Sequence, residues 1–168
     1  MSPARPPSLT ELPSYLASQV SKYGRRHLEV VLGEHELRLV HHAVLSALDD
    51  FGPLSQQQLA DALDLDKSHL VGRIDDLENR ELVTRERDPV DRRRHALTLT
   101  PLGKALVDQL RPVALESQRQ FLATLGADEQ ETLVTLLRRV LAANDAARLG
   151  GPEVGRWPRG HRSRAGRQ

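Results

Sequence analysis

Apolar residues recur at intervals of three and four along most of the chain, which is the period of amphipathic helices. The pattern predicts a first helix that begins near Ser8, where Ser8 and Glu11 have the spacing of a capping box. Pro13 is compatible with this helix because it falls in the first turn. A second helix follows a short break at residues 33–36 and ends before Gly52. Two helices are therefore expected before residue 52.

The next part of the chain has shorter periodic segments. Ser55 and Gln58 form a capping box before a helix of about two turns. After a tight turn, Asp66 is the candidate N-cap of another helix. The apolar residues of that helix form one stripe: Leu70, Ile74 and Leu77. A short helix, a tight turn and a second helix together predict a helix-turn-helix.

Two strand-like segments follow at residues 82–87 and 95–100, and the polar segment between them predicts an exposed hairpin tip. Pro101 suits the first position of a helix that continues to about Leu125. A last helix extends to near residue 149. The predicted fold is mainly α with a small β-wing, a winged helix-turn-helix flanked by helices from both chain ends.

The 168 residues suit one domain of ordinary size. The terminal helices carry more apolar residues than a lone winged helix could bury, which favours a dimer. The predicted segments are a disordered arm at 1–8, a domain at 9–148 and a disordered tail at 149–168. Within the domain, the winged helix occupies about 37–100, and the dimerisation helices occupy about 9–32 and 101–148.

The amino-acid composition excludes several kinds of site and several classes of protein. The chain has no cysteine, which excludes disulfides, cysteine-ligated zinc and iron–sulfur clusters. No apolar run approaches the length that spans a bilayer, and residues 1–7 do not resemble a signal peptide, so a cytoplasmic protein without membrane contact is expected. The net charge is only +1, although the tail holds five arginines against Glu153. A surface that binds nucleic acid must therefore come from local placement of charge.

The second helix of a helix-turn-helix enters the major groove and presents its N-terminal side chains to base edges. Here Lys67 and Ser68 lie in the first turn as candidate phosphate contacts, while His69, Val71 and Gly72 are placed for bases. A glycine inside a helix costs about 1 kcal/mol relative to alanine. Close approach of DNA would explain Gly72, and so would tight packing.

The hairpin tip concentrates positive charge where folding does not require it. Residues 85–95 contain five arginines: Arg85, Arg87, Arg92, Arg93 and Arg94. An arginine in a narrow minor groove gains from its negative potential. Asp91 is spaced to hold the Arg93 guanidinium in a bidentate pair. A basic tip beside a helix-turn-helix predicts a second contact with DNA.

An Asp-x-Arg sequence followed by Leu-Thr occurs here as Asp91, Arg93, Leu99 and Thr100, with Gly103 opening the next helix. Leu59-Ala60, Leu77-Glu78 and Leu82-Val83 stand at matching places in the preceding elements. In these motifs, and in the order of its elements, the chain resembles the MarR family of bacterial transcriptional regulators over about residues 9–148.

The resemblance implies an obligate homodimer, joined by its first, fifth and sixth helices, that binds pseudo-palindromic operators in double-stranded DNA. It also implies release by a small ligand, with repression expected rather than activation. By resemblance, Arg93 is the minor-groove arginine and Asp91 orients it, while Arg92 and Arg94 contact phosphates. Two positions depart from the family. Glu81 stands where a glycine with positive φ is usual, so the turn is either remodelled or strained. Gly72 stands where many members have an arginine or another polar side chain.

Family members that bind phenolic or aromatic carboxylate ligands hold them between the dimer helices and the winged helix. The polar residues on apolar faces of the first two helices are the candidates for such a site: Tyr23, Arg26, His27, Arg38, His41 and His42. Equally, His27 and His41 fit hydrogen-bonded positions in the core or at the dimer seam, and His42 fits the core.

Other functions have less support in the sequence. The seven histidines lack local metal-ligand spacing, although a site shared between subunits stays open. No nucleophile elbow, phosphate loop or dinucleotide fingerprint occurs, so neither catalysis nor a cofactor is expected. The alternative from another class is a winged helix used only for protein–protein contact, whose binding would lack the steep salt dependence of phosphate contacts.

Overall fold

The computed structural model describes residues 5–87 and 95–150. It confirms a mainly helical fold with a small antiparallel wing. The elements in chain order are α1 (Pro7–Thr10), α2 (Pro13–Gly33), α3 (Leu39–Phe51), β1 (Leu54–Ser55), α4 (Gln56–Leu63), α5 (Lys67–Asn79), β2 (Val83–Arg87), β3 (His95–Leu99), α6 (Pro101–Phe121) and α7 (Ala127–Gly150). Within the described ranges, no helix combines the length and apolar character needed to cross a membrane.

The sheet has the strand order β1-β3-β2, and both pairings are antiparallel. The β2–β3 hairpin pairs Val83 with Leu99 at its base and Arg87 with His95 at its far end. The sequence predicts these two strands but not β1, which is a two-residue strand that pairs Leu54 with Leu97. So short a strand exists only because the hairpin provides its partner.

The core of the first compact unit, which extends to Ala123, lies between the helix-turn-helix, α2, α3, α6 and the sheet. Its most deeply buried side chains come from seven different elements: Leu32, Val44, Leu45, Leu59, Leu70, Ile74, Leu77, Val83, Leu97 and Leu110. The predicted stripe of α5 thus packs inward, and its opposite face remains exposed.

The N-terminal segment differs from the sequence prediction. Helix α1 begins at Pro7, has Pro6 as its N-cap and ends at Thr10, so the predicted Ser8 capping box is wrong. Leu12 has an extended backbone (φ −91°, ψ 114°), and α2 begins afresh at Pro13. The cause is Pro13, which disfavours helical geometry in the residue before it. The predicted single helix is therefore two.

The chain end also differs in detail. Helix α6 begins at Pro101 as predicted but ends at Phe121, four residues before the expected end at Leu125. In the second compact unit, the backbone N–H of Gly126 donates to the Glu129 carboxylate (2.8 Å) at the start of α7. Helix α7 presents exposed apolar side chains: Val134, Leu136, Leu137, Val140 and Leu141.

The base of the wing depends on one unusual backbone position and on two hydrogen bonds of Thr100. Glu81 adopts a left-handed conformation (φ 57°), so the turn keeps the geometry that glycine favours and is strained instead of remodelled. The Thr100 hydroxyl donates to the Glu81 carbonyl (2.6 Å), and the Thr100 N–H donates to the Leu82 carbonyl (3.1 Å). These hydrogen bonds join the turn to the start of α6.

Replacing Glu81 by glycine is expected to raise the free energy of unfolding by about 1 kcal/mol, because glycine relieves the left-handed strain. Urea unfolding at neutral pH measures the change. Glu86→Gly is the matched control, since Glu86 lies in the extended strand β2 and its glycine variant should be less stable than the wild type. A Glu81→Gly protein less stable than the wild type would contradict this explanation of the turn.

Candidate functional site

The turn between α4 and α5 is built by local hydrogen bonds. Ser55 and Gln58 form the predicted capping box, with backbone-to-side-chain distances of 3.2 and 2.9 Å. Helix α4 ends at Leu63, and its C-cap residue Asp64 has a left-handed conformation. The Asp66 carboxylate then accepts hydrogen bonds from the N–H (2.9 Å) and the hydroxyl (2.8 Å) of Ser68, which confirms Asp66 as the N-cap of α5. These two bonds lower the pKa of Asp66.

Helix α5 has one buried and one exposed side. The exposed side carries all five predicted DNA-contacting residues of this helix: Lys67, Ser68, His69, Val71 and Gly72. The Ser68 hydroxyl already donates to Asp66, so its first role is to fix the start of α5.

Arg85 connects the wing to α5. Its guanidinium, on β2, donates to the carboxylates of Asp75 and Glu78 on α5, the second at 2.5 Å. The sequence places Arg85 in the basic hairpin tip, but in the structure its guanidinium forms ion pairs within the protein. It neutralises two carboxylates on α5, and it fixes the base of the hairpin against that helix.

The hairpin tip itself is not part of the described structure. Four predicted contacts, Asp91, Arg92, Arg93 and Arg94, fall in residues 88–94, outside the described residues. The strands on either side, β2 and β3, place this tip next in sequence to a hairpin that packs on α5.

The structure separates the six candidate ligand-binding residues into two groups. On α2, Tyr23 accepts a hydrogen bond from the Arg5 guanidinium (3.1 Å), which also lies 6.0 Å from the Tyr15 ring centre. Arg26 is exposed, and the exposed His27 has its ring centre 5.7 Å from that of Phe121. None of these three residues of α2 lines the cleft that His42 of α3 reaches.

Near the start of α3 the other three candidates also diverge. Arg38 is exposed at the N-cap, and its backbone N–H donates to Nδ1 of His41 (3.3 Å). His41 is buried, whereas His42 is half-buried and lines a cleft between α3 and α6. His42 is the member of the six that reaches this cleft.

The cleft measures about 160 Å³ and mixes apolar and charged walls. Helix α3 contributes His42, Ser46 and Asp50, and helix α6 contributes Arg111 together with apolar side chains. Arg111 donates to Asp49 (2.6 Å), whose side chain is only 9% exposed. Lys104 is the main cause of the lowered pKa of Asp49, and Arg111 adds to it. The cleft therefore has a fixed cation at its edge.

Arg111 is not among the residues that the sequence predicts for a ligand site. The order of residues along the chain does not show that α6, which carries Arg111, packs against α3. Arg111 is one of several charged residues on α6, and its periodicity indicates only a surface position. The pairing of α3 with α6 brings Asp49 and Arg111 together across 62 residues. The number and length of the predicted helices do not show which helices pack against each other.

His41 connects α3 to α5. Its Nε2 lies 3.5 Å from the Asp76 carboxylate without a hydrogen bond, and its Nδ1 accepts the Arg38 N–H. Burial lowers the pKa of His41, although Asp76 opposes the shift. Burial also lowers the pKa of His42. Both histidines therefore favour the neutral form when the protein is folded.

Acid is expected to destabilise the protein below about pH 6.5, the ordinary histidine value. There the unfolded chain binds protons that folded His41 and His42 resist, so stability is complete above that pH and falls as the pH drops towards the lowered pKa values. The slope reaches at most about 1.4 kcal/mol per pH unit for each histidine.

Urea unfolding at a series of pH values from 7.5 to 5.0 checks this expectation. The double variant His41→Gln, His42→Gln should lose much of the slope, and glutamine at 41 can still accept the Arg38 N–H. Equal slopes in the double variant and the wild type would assign the acid sensitivity to other groups.

Known proteins with similar sequences are transcriptional regulators. A sequence model of the MarR family matches residues 37–95. The HTH-type transcriptional repressor NicR of Pseudomonas putida is 34% identical over 112 residues, which cover 67% of this chain and 71% of that protein.

Two solved structures are similar over most of this chain. The structure titled "Mechanism for regulation of DNA binding of Bordetella bronchiseptica BpsR by 6-hydroxynicotinic acid" has a TM-score of 0.70 and 28% identity, covering 83% of this chain and 97% of that one. The transcriptional repressor CouR, bound to a 23-mer DNA duplex, has a TM-score of 0.75 and 26% identity, covering 83% and 99% of the two chains.

Proposed function

Because this chain belongs to the MarR family of transcriptional regulators, we propose that it is a homodimeric repressor that a small aromatic acid releases from a pseudo-palindromic operator. The observation that carries the proposal is the exposed side of α5. A helix capped by Asp66 presents Lys67, Ser68, His69, Val71 and Gly72 to solvent, beside a hairpin braced by Arg85. CouR, which is similar in fold, is bound to a DNA duplex.

Tight binding to the DNA upstream of the protein's own coding region is the expected result. The affinity should fall steeply with salt, because lysine and arginine contacts release counterions from phosphates. Arg93→Ala should weaken binding about tenfold for each half-site, since the wing would lose its minor-groove contact. Fluorescence anisotropy with labelled duplexes across a salt series measures both effects.

Arg119→Ala is the matched control, because Arg119 is an exposed arginine on α6 outside the proposed DNA contact, and sedimentation must show that both variants are still dimers. Absence of sequence preference, together with an Arg93→Ala protein that binds like the wild type, would overturn DNA recognition by the wing. A winged helix used for protein–protein contact would then be the better explanation.

A homodimer is supported by apolar surface that the single chain leaves exposed. In the first unit, α1, α2 and the residues between them expose four apolar side chains: Leu9, Leu12, Leu16 and Val20. In the second, α7 exposes five apolar side chains. Exposed apolar surface of this extent is typical of an interface. We assign the dimer contact to the segments 9–32 and 101–148 and the DNA contact to about 37–100.

The α3–α6 cleft is the ligand site that we propose. Arg111 would pair with the ligand carboxylate, while His42 and Ser46 would meet its hydroxyl group. The binding of DNA by BpsR, which is similar in fold, is regulated by 6-hydroxynicotinic acid, a hydroxylated aromatic acid. The candidates on α2, Tyr23, Arg26 and His27, lie outside this cleft.

The test adds 6-hydroxynicotinic acid or salicylic acid to the complex of the protein with labelled operator DNA. Fluorescence anisotropy then measures the release of the DNA. Either acid should release the wild-type protein, and Arg111→Gln should need at least about tenfold more acid, since it loses a charge-assisted pair. Arg119→Gln, on the same helix, should respond like the wild type. Equal release of the Arg111→Gln protein would remove the cleft from the proposal without affecting DNA binding.

A further inference from the structure

Gly24, Gly72 and Gly103 lie within helices and not at a helix end, and the structure explains two of them. A Cβ at Gly24 would lie 3.1 Å from the Phe121 ring, and a Cβ at Gly103 would lie 2.0 Å from the Leu82 carbonyl oxygen. A Cβ at Gly72 would meet nothing within 4 Å. Glycine is a poor helix former, so packing accounts for Gly24 and Gly103 but not for Gly72. Nothing inside this chain requires the glycine in α5.

Gly72 lies at the centre of the exposed side of α5. Ser68 precedes it by one turn and Asp76 follows it by one turn, and all three are exposed. The glycine opens onto a groove of about 590 Å³, whose wall includes Val40 of α3 and Leu65 of the preceding turn. The missing side chain therefore gives a partner access to the main chain of the helix.

The negative charge of Asp76, one turn after Gly72, favours contact with a base edge over contact with a phosphate. The Asp76 side chain is 51% exposed, and its Oδ2 lies 3.5 Å from Arg73 Nη1, which holds it at the groove. A carboxylate at this place repels phosphate. It accepts hydrogen bonds, however, and in the major groove an aspartate accepts from the N4 amino group of cytosine.

We propose that Gly72 and Asp76 form a base-reading step on α5, in which Gly72 lets a base pair approach the helix and Asp76 accepts from the amino group of a cytosine. The inference rests on the proposed function, because it needs α5 to enter the major groove. It identifies the positions by which this chain selects sequence. The phosphate contacts then fall to other residues, such as Lys67 and the wing arginines.

Selection from a pool of random double-stranded DNA tests the step, with wild-type, Gly72→Ala and Asp76→Asn proteins compared. The wild type should enrich a palindrome with cytosine at one symmetric position. Asp76→Asn should move that preference to adenine, because asparagine pairs with adenine N6 and N7. Gly72→Ala should bind the enriched duplex at least about tenfold more weakly, while its melting temperature rises by about 2–4 °C.

Gly33→Ala is the matched control, since Gly33 is also helical, exposed and open to a Cβ, but lies at the end of α2. It should change neither affinity nor selected sequence. Unchanged affinity of Gly72→Ala, or a uniform gain in affinity of Asp76→Asn with the same selected sequence, would overturn the base-reading step. Failure of the wild type to enrich any sequence would instead overturn the proposed function itself.

Discussion

Replacing Gly103 by alanine is expected to reduce the free energy of unfolding by at least about 3 kcal/mol, which is a large part of the stability of an ordinary domain. The added Cβ would lie 2.0 Å from the Leu82 carbonyl oxygen, a backbone atom. That oxygen also accepts the Thr100 N–H (3.1 Å), so it cannot move without breaking the junction between wing and α6. Urea unfolding followed by circular dichroism measures the loss.

The Gly103 N–H also donates to the Thr100 hydroxyl (2.9 Å), which caps α6. A displaced α6 would lose this cap as well, so the expected loss exceeds that of ordinary overpacking. Gly33→Ala again serves as the control, because its Cβ has open space and its stability should not fall. If Gly103→Ala unfolds at the same urea concentration as the wild type, the wing must be able to shift without cost.

Replacing Arg85 by alanine is expected to weaken operator binding about tenfold for each half-site, and about a hundredfold for a dimer. The change leaves Asp75 and Glu78 without their shared cation. Two uncompensated carboxylates on α5 would then face phosphates, and like charges a few ångströms apart repel by about 1 kcal/mol even in water. The loss of protein stability should be smaller, about 1 kcal/mol, since these ion pairs are partly exposed.

Neutralising the carboxylates separates repulsion from simple loss of structure. The triple variant Arg85→Ala, Asp75→Asn, Glu78→Gln should recover most of the affinity, because no unpaired negative charge remains on α5. Anisotropy with the operator duplex measures all three proteins in parallel. A triple variant that binds as weakly as Arg85→Ala would mean that Arg85 acts by holding the wing in place.

Several features of this fold follow from residues close together in sequence. The capping box at Ser55 and Gln58, the N-cap at Asp66 and the start of α6 at Pro101 are all confirmed. Each depends on side chains and backbone groups within three residues of one another. The paired strands are confirmed for the same reason, since alternation and a turn-rich tip are local patterns.

One local prediction was wrong because two local rules compete. Ser8 and Glu11 have capping-box spacing, but Pro13 prevents Leu12 from being helical. Pro13 does not lie in the first turn of a helix that starts at Ser8, because it begins a helix of its own. The restriction on the residue before proline was therefore stronger than the capping pattern.

Sequence alone determined the helix-turn-helix, the hairpin and the family resemblance, because caps, periodicity and turn residues act over a few positions. The open space around Gly72 and the left-handed conformation of Glu81 come from tertiary structure, since both depend on neighbours distant in the chain. The tertiary structure also decided that Arg85 faces α5 and that Arg111 reaches Asp49, contacts that span 7 to 62 residues. Such contacts depend on which helices and strands pack together, and the one-dimensional pattern of apolar residues does not contain that information.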